Sequence, residues 1–137
     1  MEIKRARALM AYAHEVKKGT ISERLRSRLS VFQPSDIHEG ELVLLMDKLI
    51  FNEHKRGAST KVIDIDKSEI KDVFLGYDDV FERIDGITFE PLRIRFRKEG
   101  IDTAIYLNVD FNRAKRTNKN PEWYNELQKW TGANTGN

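Results

Sequence analysis

The stretch that most constrains the fold is Gly40 to Asn52, GELVLLMDKLIFN. It holds two apolar runs, Leu42 to Met46 and Leu49 to Phe51, separated only by Asp47-Lys48. Two short β-prone runs joined by about two turn-forming residues predict a tight hairpin. Residues after it keep alternating between apolar and polar, so the hairpin is expected to be the first corner of a curled sheet.

The rest of the chain extends that plan. Glu53 to Lys61 reads as a polar loop, and Val62 to Asp66 as a third strand. Ile70 to Tyr77 reads as a fourth, Asp78-Asp79 as a turn, and Val80 to Ile84 as a weak fifth. Asp85-Gly86 marks a further turn. Leu92, Ile94 and Phe96 alternate with Arg93, Arg95 and Arg97, the cleanest half-buried strand in the chain. Glu99-Gly100 then turns it back into Thr103 to Val109. Asn112 to Asn120 is a polar, basic loop. Asn120-Pro121-Glu122 opens a last helix, with Asn120 as its cap and Trp123, Leu127 and Trp130 on one stripe. Thr131-Gly132 should end it, leaving Ala133 to Asn137 as a tail.

The N-terminal quarter reads differently. Ile3, Ala6, Leu9, Met10, Ala13 and Val16 recur at helical spacing among good helix formers. This predicts a helix over 3–18, ended by Gly19. Thr20 and Glu23 match a capping box, and Ile21, Leu25 and Leu29 continue an apolar stripe into a second helix. Pro34 forbids helix beyond it. The expected organisation is a helical hairpin over 1–33, a sheet domain over 34–132 and a flexible tail over 133–137.

Composition narrows the class. At 137 residues, with 39% hydrophobic and 34% charged residues, one soluble domain with one core is expected. There is no cysteine, which removes disulfides, thiolate metal sites and cysteine nucleophiles and suits a reducing cytoplasm. No apolar run approaches the roughly 20 residues a membrane span needs. Residues 1–32 carry eight Lys/Arg against three Asp/Glu, net +5; residues 33–137 carry sixteen against nineteen, net −3. A basic front end on a mildly acidic body fits either an acidic partner or attraction within one molecule.

The residues GELVLLMDKLIF (40–51), Ile65 with SEIKDV (68–73), PLRIRF (91–96), AIYLNV (104–109) and EWYNELQKW (122–130) resemble the pleckstrin-homology superfold. The likeness is greatest to its GRAM-like and bacterial members and covers about residues 36–131. It implies a curled antiparallel sheet capped by a C-terminal helix, so the expected class is mainly β with flanking helices (α+β). It also implies a binding or docking module rather than an enzyme. Its lipid-binding branch carries a Lys/Arg cluster across the first hairpin; here that turn holds only Asp47-Lys48.

Candidate sites each have two readings. Arg93, Arg95 and Arg97 form a cationic row suited to phosphate or acidic peptide, or a solvated face paired with neighbouring carboxylates. Alternation alone demands polar residues there, which favours the second. His54, Lys55, Arg56 and Lys61 could cradle a phosphate beside Gly57, or form an ordinary charged loop. Arg5, Arg7, Lys17, Lys18, Arg24, Arg26 and Arg28 make the front helices basic, for an anionic membrane or nucleic acid. Those helices equally suit packing through Leu9, Met10, Val16, Ile21, Leu25 and Leu29, on the body or on a second subunit. Trp123 and Trp130 read as core anchors rather than a stacking pair.

No metal or cofactor is expected. Asp64 to Ser68 starts like a calcium loop, but Glu69 stands where its glycine should and Leu75 where its last acid should. His14, His38 and His54 are scattered without metal-ligand spacing, and no nucleophile elbow or phosphate loop occurs. The expected function is protein or peptide docking with self-association into a homo-oligomer. The alternatives are binding of anionic lipid or nucleic acid, and then catalysis.

Overall fold

The computed structural model describes residues 2–13, 38–55, 57–78, 90–112, 114, 115 and 117–132. Among these residues seven strands form one antiparallel sheet: β1 (Glu2–Tyr12), β2 (His38–Leu45), β3 (Lys48–Lys55), β4 (Ala58–Asp66), β5 (Ile70–Leu75), β6 (Leu92–Lys98) and β7 (Ile101–Val109). A single 3-10 turn, Lys67–Glu69, links β4 to β5, and helix α1 (Asn120–Thr131) follows β7. The strand order is β4-β3-β2-β1-β7-β6-β5.

This overturns the expected front end. Residues 2–12 are a strand, not the first half of a helical hairpin. The rest of that hairpin, residues 14–33, lies outside the described residues, as do Asp79, Val80 to Ile84 and Asp85-Gly86. The class is therefore a seven-stranded antiparallel sheet with one described helix at its C-terminal end. The 40–52 hairpin is its second and third strands and not its opening corner. The segment is ambiguous because Ala6, Ala8, Met10 and Tyr12 also repeat at a period of two. Pairing on both sides then outweighs the helix propensity of Ala, Leu and Arg. Met10 and Ala8 face the core, while Arg5 and Arg7 face outward.

β1 is the junction of the sheet. Arg5 to Met10 pair with Val43 to His38, and Ala8 to Tyr12 pair with Val109 to Ile105. Glu53 to Lys61, expected to be a loop, instead supplies the paired ends of β3 and β4, with His54 opposite Ser59 and Lys55 opposite Ala58. Exposed strand ends can be polar without losing their ladder bonds, so polarity there misled the reading. Glu99 (φ 53) and Gly100 (φ 80) make the predicted two-residue β6–β7 turn, both in the left-handed region such turns require.

The sheet curls on itself. If it were flat, β4 and β6 would be five inter-strand steps, about 24 Å, apart. Yet Lys98 Nζ on β6 donates to the Asp64 carbonyl on β4 at 2.6 Å and reaches Glu69 at 3.3 Å. Curling gathers Leu42, Leu44, Leu49, Phe51, Ile65, Leu92, Ile94, Ile105 and Leu107 around one core. Gly40 permits close approach of β2 and β3, since a Cβ there would lie 1.9 Å from the Asn52 carbonyl oxygen.

Helix α1 closes this core. Trp123 and Leu127 are fully buried and Trp130 nearly so, as their spacing predicts. Trp130 Nε1 donates to the carbonyls of Leu45 (2.9 Å) and Met46 (3.1 Å), fixing the helix to the β2–β3 turn. Asn120 does not cap the helix as expected. Its Oδ1 accepts from Val109 N (2.7 Å), and its Nδ2 donates to the carbonyls of Glu90 (2.8 Å) and Leu107 (3.1 Å). A buried amide that satisfies three main-chain groups ties the helix start to the sheet. Gly132, left-handed at φ 75, ends the helix where expected.

Two outcomes follow. Deleting residues 1–33 removes β1 and separates β2 from β7, so the shortened chain should lose its cooperative melt in far-UV circular dichroism. Trp123→Ala should cost about 3–5 kcal/mol, measured by urea unfolding, because the ring is fully buried.

Candidate functional site

The Arg row lies on the outer face of β6, because Leu92, Ile94 and Phe96 turn inward. Register sets its neighbours: Phe74–Arg93–Tyr106 in one row, Asp72–Arg95–Ala104 in the next, then Arg97 opposite Asp102. Each guanidinium has a carboxylate beside it. Arg95 Nε donates to Asp72 Oδ2 at 2.7 Å, and its Nη2 also contacts that oxygen. Arg97 Nε lies 3.8 Å from Asp102 Oδ1, and Lys71 Nζ 3.6 Å from the same oxygen. The Asp72 hydrogen bond, ahead of its Coulombic attraction, raises the Arg95 pKa.

Arg93 stands in a different environment. It is only 19% exposed, against 55% for Arg95 and 56% for Arg97. Its guanidinium stacks over the Phe74 ring at 4.8 Å. Nη1 donates to Asp78 Oδ2 at 2.9 Å, while Nη2 lies 3.6 Å from Asp72 Oδ1. The Tyr106 hydroxyl donates to the same Asp78 oxygen at 2.8 Å. Asp78 itself is 11% exposed. Two donors from two strands thus converge on one carboxylate oxygen over an aromatic platform. Such charge-assisted bonds are stronger in a partly desolvated setting than on an open surface.

The other sequence candidates do not join this face. His54 and Lys55 are exposed at the end of β3, and Arg56 lies outside the described residues. Lys61, on β4, donates to Asp64 Oδ2 at 3.0 Å. Arg5 donates to Glu2 and Glu41, and Arg7 lies 3.7 Å from Glu39. Lys17, Lys18, Arg24, Arg26 and Arg28 lie outside the described residues.

A second polar cluster sits beyond the core on the same sheet face. His38 is the register partner of Met10, and Glu53 that of Gly40. His38 Nδ1 lies 2.9 Å from Glu53 Oε2, and its ring meets Tyr12 edge-on at 5.4 Å between centroids. Among the described residues no group of three or more His, Cys, Asp or Glu could hold a metal ion. Asp64 and Asp66 lie on β4, 3.5 and 3.9 Å from Lys48 Nζ. No helix of the described residues is long and apolar enough to cross a membrane.

Sequence reasoning missed Asp72, Asp78, Phe74, Tyr106 and the Tyr12–His38–Glu53 group. Tyr106 carried a signal, being a large aromatic at an outward position of β7. Asp72 was obscured by the register shift between Ile70 and Asp72, which breaks the period of two. No family model matches this chain, and no curated protein matches it.

Asp64 offers a direct check on the surface electrostatics. Its hydrogen bond from Lys61 outweighs partial desolvation and, with Lys48 nearby, holds its pKa below the ordinary 3.8. A depressed carboxylate adds stability above its unfolded pKa and loses it as pH falls through the folded value. Lys61→Met should therefore move the Asp64 titration upward towards 3.8. A carboxyl-carbon NMR titration reads this, and an unmoved midpoint would show that Lys61 is not the cause.

Proposed function

We propose that this chain is a non-catalytic docking module that takes an extended segment of a partner protein along β5. The observation that carries this reading is the edge of β5. Among the described residues β5 pairs with β6 alone, so its far side has ladder groups not taken up by another strand. An added strand gains main-chain hydrogen bonds there, and the adjacent side chains select its sequence. Those side chains are chemically mixed: the Phe74 ring is 38% exposed with the Arg93 guanidinium over it, and Asp72 with Arg95 form the next row. Arg5, Arg7 and Lys61 contact carboxylates, which leaves these three with less free charge for an anionic membrane or nucleic acid, while Lys55 at the end of β3 stays exposed.

Selection of peptides from a displayed random library against the immobilised chain tests the reading. Selected peptides should slow amide exchange along Ile70 to Leu75 and lose less affinity with added salt than phosphate-driven binding does. Binding to anionic vesicles or duplex DNA that falls steeply with salt, with β5 amides unprotected, would overturn it in favour of a surface-charge function.

A further inference from the structure

We infer that Arg93, Tyr106 and Phe74 form a binding slot for a carboxylate side chain of an acidic peptide, and that Asp78 occupies this slot from within the same chain. The slot has the parts such recognition needs. A guanidinium supplies a fork of donors, a phenol adds a second donor from the next strand, and an aromatic ring holds the fork flat from behind. Both donors meet Asp78 on one oxygen, Oδ2. Among the described residues Arg93 Nε is a buried donor with no hydrogen-bond partner, so the closed arrangement uses only part of the fork.

The chain delivering Asp78 is built to cross this face. Gly76 leaves β5 at φ 146, a conformation that L side chains rarely adopt, and its N–H donates to the Pro91 carbonyl at 3.1 Å. Two residues later Asp78 lies over β6 and β7. The local charge balance also suits a competitor. Among the described residues Arg93, Arg95, Arg97 and Lys71 meet Asp72, Asp78 and Asp102, leaving one positive charge in excess in this set. Lifting Asp78 away leaves two, and an acidic side chain restores the balance.

A tethered carboxylate competes at an effective concentration of millimolar or above, so it masks the slot against free ligand. If the closed form holds about 90% of molecules, external affinity falls about tenfold. The inference deepens the docking reading and rests on it for the class of ligand. The two remain separable, because amide protection along β5 reports docking while the ratio between Asp78 variants and the parent chain reports internal occupancy.

The test uses the full chain with a capped hexaglutamate peptide, and hexaglutamine as the neutral control, at low salt. Asp78→Ala should bind hexaglutamate about tenfold more tightly than the parent, with NMR shifts at the Arg93 side chain and Tyr106. Hexaglutamine should be unaffected. Asp78→Asn removes the charge while keeping shape and an acceptor for Tyr106, and it carries the test if the alanine variant does not fold. Arg93→Gln added to Asp78→Asn should abolish the gain. Folded Asp78 variants that bind hexaglutamate no better than the parent, or a gain that survives Arg93→Gln, would overturn the assignment and leave Asp78 a purely structural pin.

Discussion

The two-sided pairing of β1 is the constraint on which the rest of the molecule depends. One side of this strand carries β2, β3 and β4; the other carries β7, β6 and β5. Each half alone is a short meander with one apolar face. Joined through β1, they become a sheet wide enough to curl and enclose Met10, Phe51, Ile65 and Ile94 in one core. Small side chains serve this junction well. Ala8 and Ala11 are both buried, on opposite faces of β1, where larger groups would push neighbouring layers apart.

The helix and the 3-10 turn complete what curling begins. Trp130 binds the β2–β3 turn, Lys67 lies 5.3 Å over the same indole, and Lys67 N donates to the Asp47 carbonyl at 2.9 Å. At the other end of α1, Lys4 reaches Glu122 at 2.8 Å and sits 5.7 Å over the Trp123 ring. The Glu122 carboxyl titrates below its ordinary range chiefly because of the hydrogen bond from Lys4. The Lys4–Glu122 ion pair is partly exposed and adds little by itself. The value of these contacts is geometric: they tie Trp130 to the β2–β3 turn and to the turn after β4, and Trp123 to the central strand β1.

The parts legible in sequence were those where local pattern and final environment agree. Strand β6 alternates cleanly, β2, β3 and β7 carry compact apolar runs, and α1 carries Trp123, Leu127 and Trp130 on one stripe, so these elements could be read directly. β1 was illegible because Ile3, Ala6, Leu9 and Met10 satisfy a helical period while Ala6, Ala8, Met10 and Tyr12 satisfy a strand period. Only its partners, more than 25 residues away in β2 and nearly 100 away in β7, decide between them. The candidate face divides in the same way. The Arg row was visible from alternation, but its carboxylates were not. Asp72 is displaced by a register shift, and Asp78 reads as any turn aspartate until folding brings it to Arg93 and Tyr106.

Among the described residues the two outermost strands of the sheet, β4 and β5, are not equivalent. An unpaired edge invites unwanted strands unless something blocks it. On β4, Lys98 takes the Asp64 carbonyl, while Lys61, Asp64 and Asp66 place charges along the strand. That edge is blunted by the devices that natural sheets use against aggregation. On β5, the charges of Lys71 and Asp72 are engaged with Asp102, Arg93 and Arg95 across the outer face. They point the electrostatics over the face rather than along the edge. The Phe74 ring stays partly exposed at the same strand. Among the described residues the β4 edge is thus lined by charges, while β5 carries a partly exposed ring and ion pairs engaged across its outer face.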